Sequence, residues 1–258
     1  MPNRHILVLL GGDICDVIKP QDIRFDFDSL ADWLYEGTAD DIRKKLNDIA
    51  KAQVKHAVDI FKPLQPFTLG SIEANHDKTV RKRYNTDTHA DFCERLGIVS
   101  MTDEAIIRLT FRREHKGGSS TSHTIKIYMR HGYGGGRTPG TEPNKIARMM
   151  GDGVAADCDI CLTGHTHTYC NPEPIPVLYV PNKGKLPARL PTRYRFGLNP
   201  GCWLYSHLVG PGSYESAACY PTRAMMTCKI VVWPFWVQLI DGQQIERPKI
   251  ELREYPIL

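Results

Sequence analysis

Four apolar runs in this sequence each end in a residue able to bind a metal ion. HILVLLGG ends in Asp13, PFTLGSIEA in Asn75-His76, TIKIYMR in His131-Gly132, and CDICLTG in His165-Thr166-His167. If these runs are strands of an α/β sheet, the loops after their carboxyl ends gather at one edge, where such sheets bind ligands. The chain then delivers a carboxylate, an amide and several imidazoles to one place. Glycines flank the same points (Gly11, Gly12, Gly132, Gly164), as tight turns or close backbone approach require.

These residue types suit a two-metal hydrolytic centre. Two divalent ions about 3.5–4 Å apart can activate a hydroxide and stabilise both the attacking and the leaving oxygen. A carboxylate such as Asp13 can bridge them, and imidazole favours zinc, iron or manganese over magnesium or calcium. In an extended segment, residues two apart face the same way, so His165 and His167 would lean into the site together. Taken singly, each residue has a plainer reading. Asp13 would be a turn or cap aspartate, and His131 a surface or satisfied histidine. The combination points to a site, because four of only ten histidines fall at strand ends, in short segments that hold glycine or asparagine.

The elements that must position these residues follow from periodicity. Residues 5–10 form a continuous apolar run, as expected of a strand buried on both faces. A long helix is expected over about 39–62, with Thr38 as N-cap and Pro63 ending it. A second helix is expected from about Asp87 to Leu96, closed by Gly97. Residues 105–111 and 124–129 alternate as a strand pair around a polar loop at Gly117-Gly118, and a short helix follows at about 143–150. CDICL reads as a buried strand with Cys158 and Cys161 on opposite faces. From about 175 onward β-formers and turns prevail. The expectation is an α/β fold in a single domain, residues 1–258, with sheets packed together and helices outside.

Composition narrows the class. A hydrophobic fraction of 41% and a charged fraction of 24% are those of an ordinary globular chain. The net charge of +4 permits a polyanionic substrate without suggesting a protein that coats nucleic acid. The first ten residues lack the apolar core and cleavage site of a signal peptide. The longest apolar stretch, 225–240, contains Lys229 and Pro234, is too short to span a bilayer, and reads as sheet. Eight scattered cysteines fit free thiols in a reducing cytoplasm, with no membrane partner. Oligomeric state is not legible.

The ordered motifs resemble those of calcineurin-like metallophosphoesterases. That family carries D-x-H, then G-D-x-x-D, G-N-H-D/E, an isolated H, and G-H-x-H. Here Gly12-Asp13-Ile14-Cys15-Asp16, Ala74-Asn75-His76-Asp77, His131-Gly132 and Gly164-His165-Thr166-His167 occur in that order. Asn199-Pro200-Gly201-Cys202 is similar to the family's N-P-G-S turn, and the glycine run after His131 resembles phage and prophage members, which would place the protein in a host cytoplasm.

The resemblance implies a four-layer α/β/β/α sandwich of two mixed sheets, here without its first strand. It implies a phosphodiesterase acting on a nucleic-acid or nucleotide phosphodiester with two divalent ions (manganese, iron or zinc). Asp13 would bridge the ions, with Asn75, His131 and His165 completing one site and His167 serving the other. His76 would protonate the leaving oxygen, Asp77 would orient its ring, and Asp16 would stand behind the ligands. Arg81, Lys82, Arg83 and Arg137 are candidate phosphate contacts, or else a solvated basic loop. Two departures stand out. Ala74 replaces the usual glycine, and D-x-H is missing, which leaves the second ion with Asp13 and His167 alone. Asp13-Ile14-Cys15 offers itself as a degenerate D-x-H. The competing function is a catalytically impaired one-metal or metal-free binding or scaffold protein that kept the fold.

Overall fold

The computed structural model describes every residue except 1–4, 18–24, 26, 136–137, 139, 152, 181–186, 205–224 and 258. The chain is mixed α/β, with three sheets and five α-helices among the described residues. It divides into two compact units. One contains the described residues of Met1–Ala105 with Arg130–Tyr133; the other contains those of Ile106–Met129, Gly134–Leu204 and Arg223–Leu258.

The first unit is built on a small parallel sheet in the order β1 (Val8–Leu10), β2 (Thr68–Ser71), β3 (Val99–Ser100). β1 is shorter than the apolar run that announces it. The helix expected over 39–62 is two helices, α1 (Ala39–Asn47) and α2 (Ile49–Phe61). Asp48 separates them at φ −141°, and its side chain accepts the Lys51 N–H to cap α2. Aspartate favours such local bonds over a helix interior, which explains the break. Thr38 caps α1 in a reciprocal box with Asp41. Beyond Phe61 the prolines convert the chain to a 3-10 turn, Lys62–Phe67. α3 (Asn75–Tyr84) and α4 (Thr88–Leu96) follow, α4 capped by Asp87 and closed by Gly97 at positive φ. Leu10, Cys15, Val54, Ala57, Phe92 and Leu96 share one buried core.

The second unit holds a larger sheet in the order β4 (Glu104–Glu114), β5 (Ser120–Arg130), β6 (Ile160–Leu162), β9 (Thr192–Pro200), β7 (Tyr169–Cys170), with β8 (Ile175–Leu178) pairing β9. β5, β6 and β9 run parallel, Met129 opposite Leu162 and Leu162 opposite Leu198. β4 and β5 are longer than their alternation suggests and reach toward the Gly117-Gly118 turn. Helix α5 (Thr141–Gly151) buries Ile146, Met149 and Met150 against Tyr128, Cys158 and Cys161. It lies so close to β9 that a Cβ on Gly197 would come 2.2 Å from Ile146 Cγ2. Cys158 and Cys161 do not flank a strand on opposite faces: β6 covers only Ile160–Leu162, and both free thiols enter the same cluster. β10 (Met226–Ile240) and β11 (Gln243–Pro256) form a long antiparallel hairpin. Among the described residues no helix is long and apolar enough to cross a membrane.

Candidate metal centre

In the first unit the chain leaves β1 through Gly11 and Gly12 and places Asp13 in the left-handed region, at φ 50°. Gly12 is required there. Its φ is +89°, and a Cβ would come 2.9 Å from His131 Nδ1 and 3.0 Å from Ala74 Cβ. The close approach lets the Gly11 carbonyl accept a hydrogen bond from His131 Nδ1–H at 2.8 Å. With that tautomer fixed, His131 Nε2 faces Asp13 Oδ2 at 3.0 Å and Asn75 Oδ1 at 3.0 Å. Burial disfavours the charged ring, but the bond to Asp13 and its charge outweigh it, so the His131 pKa is raised.

Asn75 and His76 open helix α3 rather than lying in a loop. Ala74 precedes them at φ −102°, extended backbone that needs no glycine, so the departure at this position carries no strain. The His76 Nδ1–H donates to the Asp16 carbonyl at 3.1 Å, with Asp16 Oδ1 at 3.4 Å. Its pKa is raised, chiefly by the Asp16 side chain and against burial. Asp77 does not orient that ring. At the third position of α3 its carboxylate accepts the Ala74 N–H at 3.3 Å and the Thr88 hydroxyl at 2.8 Å. The neighbour that holds His76 is Asp16. Cys15 is buried in the core of this unit, and burial pushes its thiol up to about 12, which disfavours a thiolate ligand and with it the Asp13-Ile14-Cys15 alternative.

The basic residues sit elsewhere. Arg81, Lys82 and Arg83 form the last turn of α3, where cations complement the helix dipole. Arg81 pairs with Glu73 and Asp87, so its charge is already answered, while Lys82 and Arg83 are exposed. Arg137 lies outside the described residues.

In the second unit, His165 and His167 follow β6. The segment is not extended: both residues have positive φ, 72° and 55°, and the Thr166 N–H turns back to the Gly164 carbonyl at 2.9 Å. The period-two argument therefore does not hold for this pair. Asn199, fully buried at the end of β9, pins the loop. Its Nδ2 donates to Thr166 Oγ1 at 2.9 Å, to the Gly164 carbonyl at 3.3 Å and to Glu142 Oε1 at 2.7 Å, while its Oδ1 accepts the Gly201 N–H at 3.0 Å. The Asn199-Pro200-Gly201 motif was the one sequence signal of this support; Glu142 gave none. Because β5 and β6 are parallel neighbours, the segments carrying His131 and His165 leave the same edge of the sheet. Asp13 and His131 thus meet within the first unit, and His165 is a further residue of metal-binding type in the second.

No protein-family model matches the chain, and no curated protein matches it. Among solved structures it is similar to a double mutant of Vps29 from Entamoeba histolytica. The identity is 17%, the TM-score is 0.31, and the match covers 76% of this chain and 88% of that one.

Proposed function

We propose that this protein is a metal-dependent phosphoesterase whose substrate is a nucleic-acid or nucleotide phosphodiester. The convergence on His131 Nε2 supports this reading most directly. With Nδ1–H committed to Gly11, a neutral ring turns its Nε2 lone pair toward two further acceptors, Asp13 Oδ2 and Asn75 Oδ1. Gathered in this way, the three can serve as ligands to one cation. Spacings near 3.0 Å suit ligands about 2.1 Å from one divalent ion. A proton on Nε2, donated to Asp13, is the competing occupant of that position.

Asp13, Asn75, His131 and His165 would hold that ion, and His167 would serve a second. Manganese, iron or zinc fits this mixed oxygen and imidazole set. When bound, the metal supplies Lewis acidity and a water acidic enough to ionise near neutral pH. His76, fixed through Nδ1 by Asp16, would protonate the leaving oxygen from Nε2. It stands in the first turn of α3, whose positive end favours a phosphate. Lys82 and Arg83 lie about 10 Å further along the helix, at 1.5 Å per residue. That spacing suits a neighbouring phosphate of a polymer better than the reacting one.

The decisive experiment counts metals in protein purified without chelator and measures manganese-stimulated hydrolysis of bis(p-nitrophenyl) phosphate. Turnover that disappears in His76→Ala and in Asn75→Ala is the expected result. Equal residual rates in wild type and both variants would overturn the proposal. One tightly held ion without turnover would instead establish the binding or scaffold function.

A further inference from the structure

The second unit contains a cavity of about 560 Å³ that the metal centre does not use. Its volume falls in the usual range for small-molecule sites. One wall comes from β5 and β9, with Tyr194 and Phe196; the other comes from the β10–β11 hairpin, with Trp236, Arg247 and Lys249. A bulge shapes the second wall. Trp233 pairs with Lys249 and Trp236 with Arg247, so the β10 strand carries one extra residue around Pro234-Phe235. Bulges of this kind re-aim side chains.

The charges lining this cavity do not balance. Asp159 is its one carboxylate, and it is answered by Arg193 at 2.8 Å. Lys249 pairs with Glu251 at 2.7 Å and also stacks over Trp236 at 4.3 Å. His123 contacts Glu246 at 3.3 Å. Arg247 is different. Among the described residues its half-buried guanidinium donates only to the neutral amide of Gln238, at 2.8 and 3.2 Å, and no carboxylate lies within ion-pair reach. Burial lowers its pKa, the mark of a cation whose lost hydration is not replaced by a counter-charge. A guanidinium so placed matches a phosphate oxygen pair, and flat aromatic rings beside it offer stacking surfaces to a planar ring.

We infer that this cavity binds a planar aromatic anion of nucleoside-monophosphate size, with Arg247 on the anionic group and Trp236 or Tyr194 against the ring. The inference does not rest on the metal centre. Tryptophan fluorescence and calorimetry with adenosine 5′-monophosphate test it, with adenosine and inorganic phosphate as partial probes. Saturable binding of the monophosphate is expected, with each partial probe at least tenfold weaker. Arg247→Gln should weaken the monophosphate at least tenfold and leave adenosine within about twofold. Asn75→Ala, which removes a proposed metal ligand, should leave the Arg247-dependent binding of the monophosphate unchanged. Loss of binding in Asn75→Ala with retention in Arg247→Gln would place the nucleotide elsewhere and overturn the inference, as would no saturable binding by wild type. A measurement on wild-type protein guards against a variant that fails to fold. The monophosphate should slow phenylglyoxal modification of Arg247, read by mass spectrometry, and unchanged labelling would also overturn the inference.

Discussion

Two places among the described residues gather groups of opposite character. Around His131 Nε2, acceptors from Asp13 and Asn75 converge. In the cavity of the second unit, Arg247 has donors and, among the described residues, only a neutral amide to receive them. Several other charges are answered locally: Arg81 by Glu73 and Asp87, Lys78 by Asp103, Arg193 by Asp159. A fold can hold an unbalanced partly buried group only if something outside the chain completes it or stability is sacrificed. On the readings proposed above, the first place takes a cation and the second an anion.

The largest expected effect comes from breaking the acceptor-rich site. His131→Ala should lower metal affinity by more than about 100-fold, since even partners behind metal ligands are worth about 10–100-fold. Manganese titration calorimetry and metal analysis measure it. Unchanged metal content in His131→Ala would mean that the convergence is served by a proton alone. Next in size is His76→Ala. It should keep the metal and lose about 10²–10⁴ in kcat, the usual worth of a general acid. A parallel loss of metal would recast His76 as a ligand.

A smaller effect is expected from the support of the loop that carries His165 and His167. Asn199→Ala removes donors from Glu142, Gly164 and Thr166 at a fully buried position. Leaving such partners unsatisfied costs about 2–3 kcal/mol, or roughly 5–10 °C in Tm for a chain of this size. Differential scanning calorimetry reads this loss, and a shift below about 2 °C would show that the loop is held by other contacts.

Much of the first place was legible in sequence, and almost none of the second. Asp13, Asn75 and His131 declare themselves because metal-binding residue types follow apolar runs beside glycines, and strand ends converge by construction. What misled was local geometry. Asp77 looks like a partner for His76 but is consumed as a helix cap, and the pair His165 and His167 looks extended but turns through two left-handed residues. The break at Asp48 hides inside a good helical stripe, because one capping bond outweighs a periodicity that the flanking segments share. The cavity has no sequence signature at all. Phe196 and Arg247 reach it from strands far apart in the chain, and nothing in a linear pattern says that Arg247 lacks a carboxylate.

The smallest expected effect sharpens the contrast between Arg247 and its neighbours. Glu246, the preceding residue on β11, receives Arg113 from β4 at 2.6 Å and His123 from β5 at 3.3 Å. Burial alone would raise its carboxyl, but the Arg113 and His123 contacts outweigh it and hold the pKa below the ordinary range. A depressed carboxylate contributes stability that is fully present above its unfolded pKa, about 4.3. That stability is lost as the pH falls through the lower folded value. Glu246→Gln should therefore cost about 1 kcal/mol near pH 7, discounted because Arg113 is partly exposed, and lower Tm by about 2–4 °C. The difference from wild type should shrink as the pH falls through the lowered folded pKa, below which both side chains are neutral. A Tm difference that stays constant from pH 7 to pH 3 would assign Glu246 a packing role. The variant also frees Arg113 and His123 of their counter-charge, so the cavity that His123 lines should bind adenosine 5′-monophosphate no more weakly than before. A marked loss of affinity would mean that Glu246 is needed to hold the hairpin and the sheet in register for Arg247.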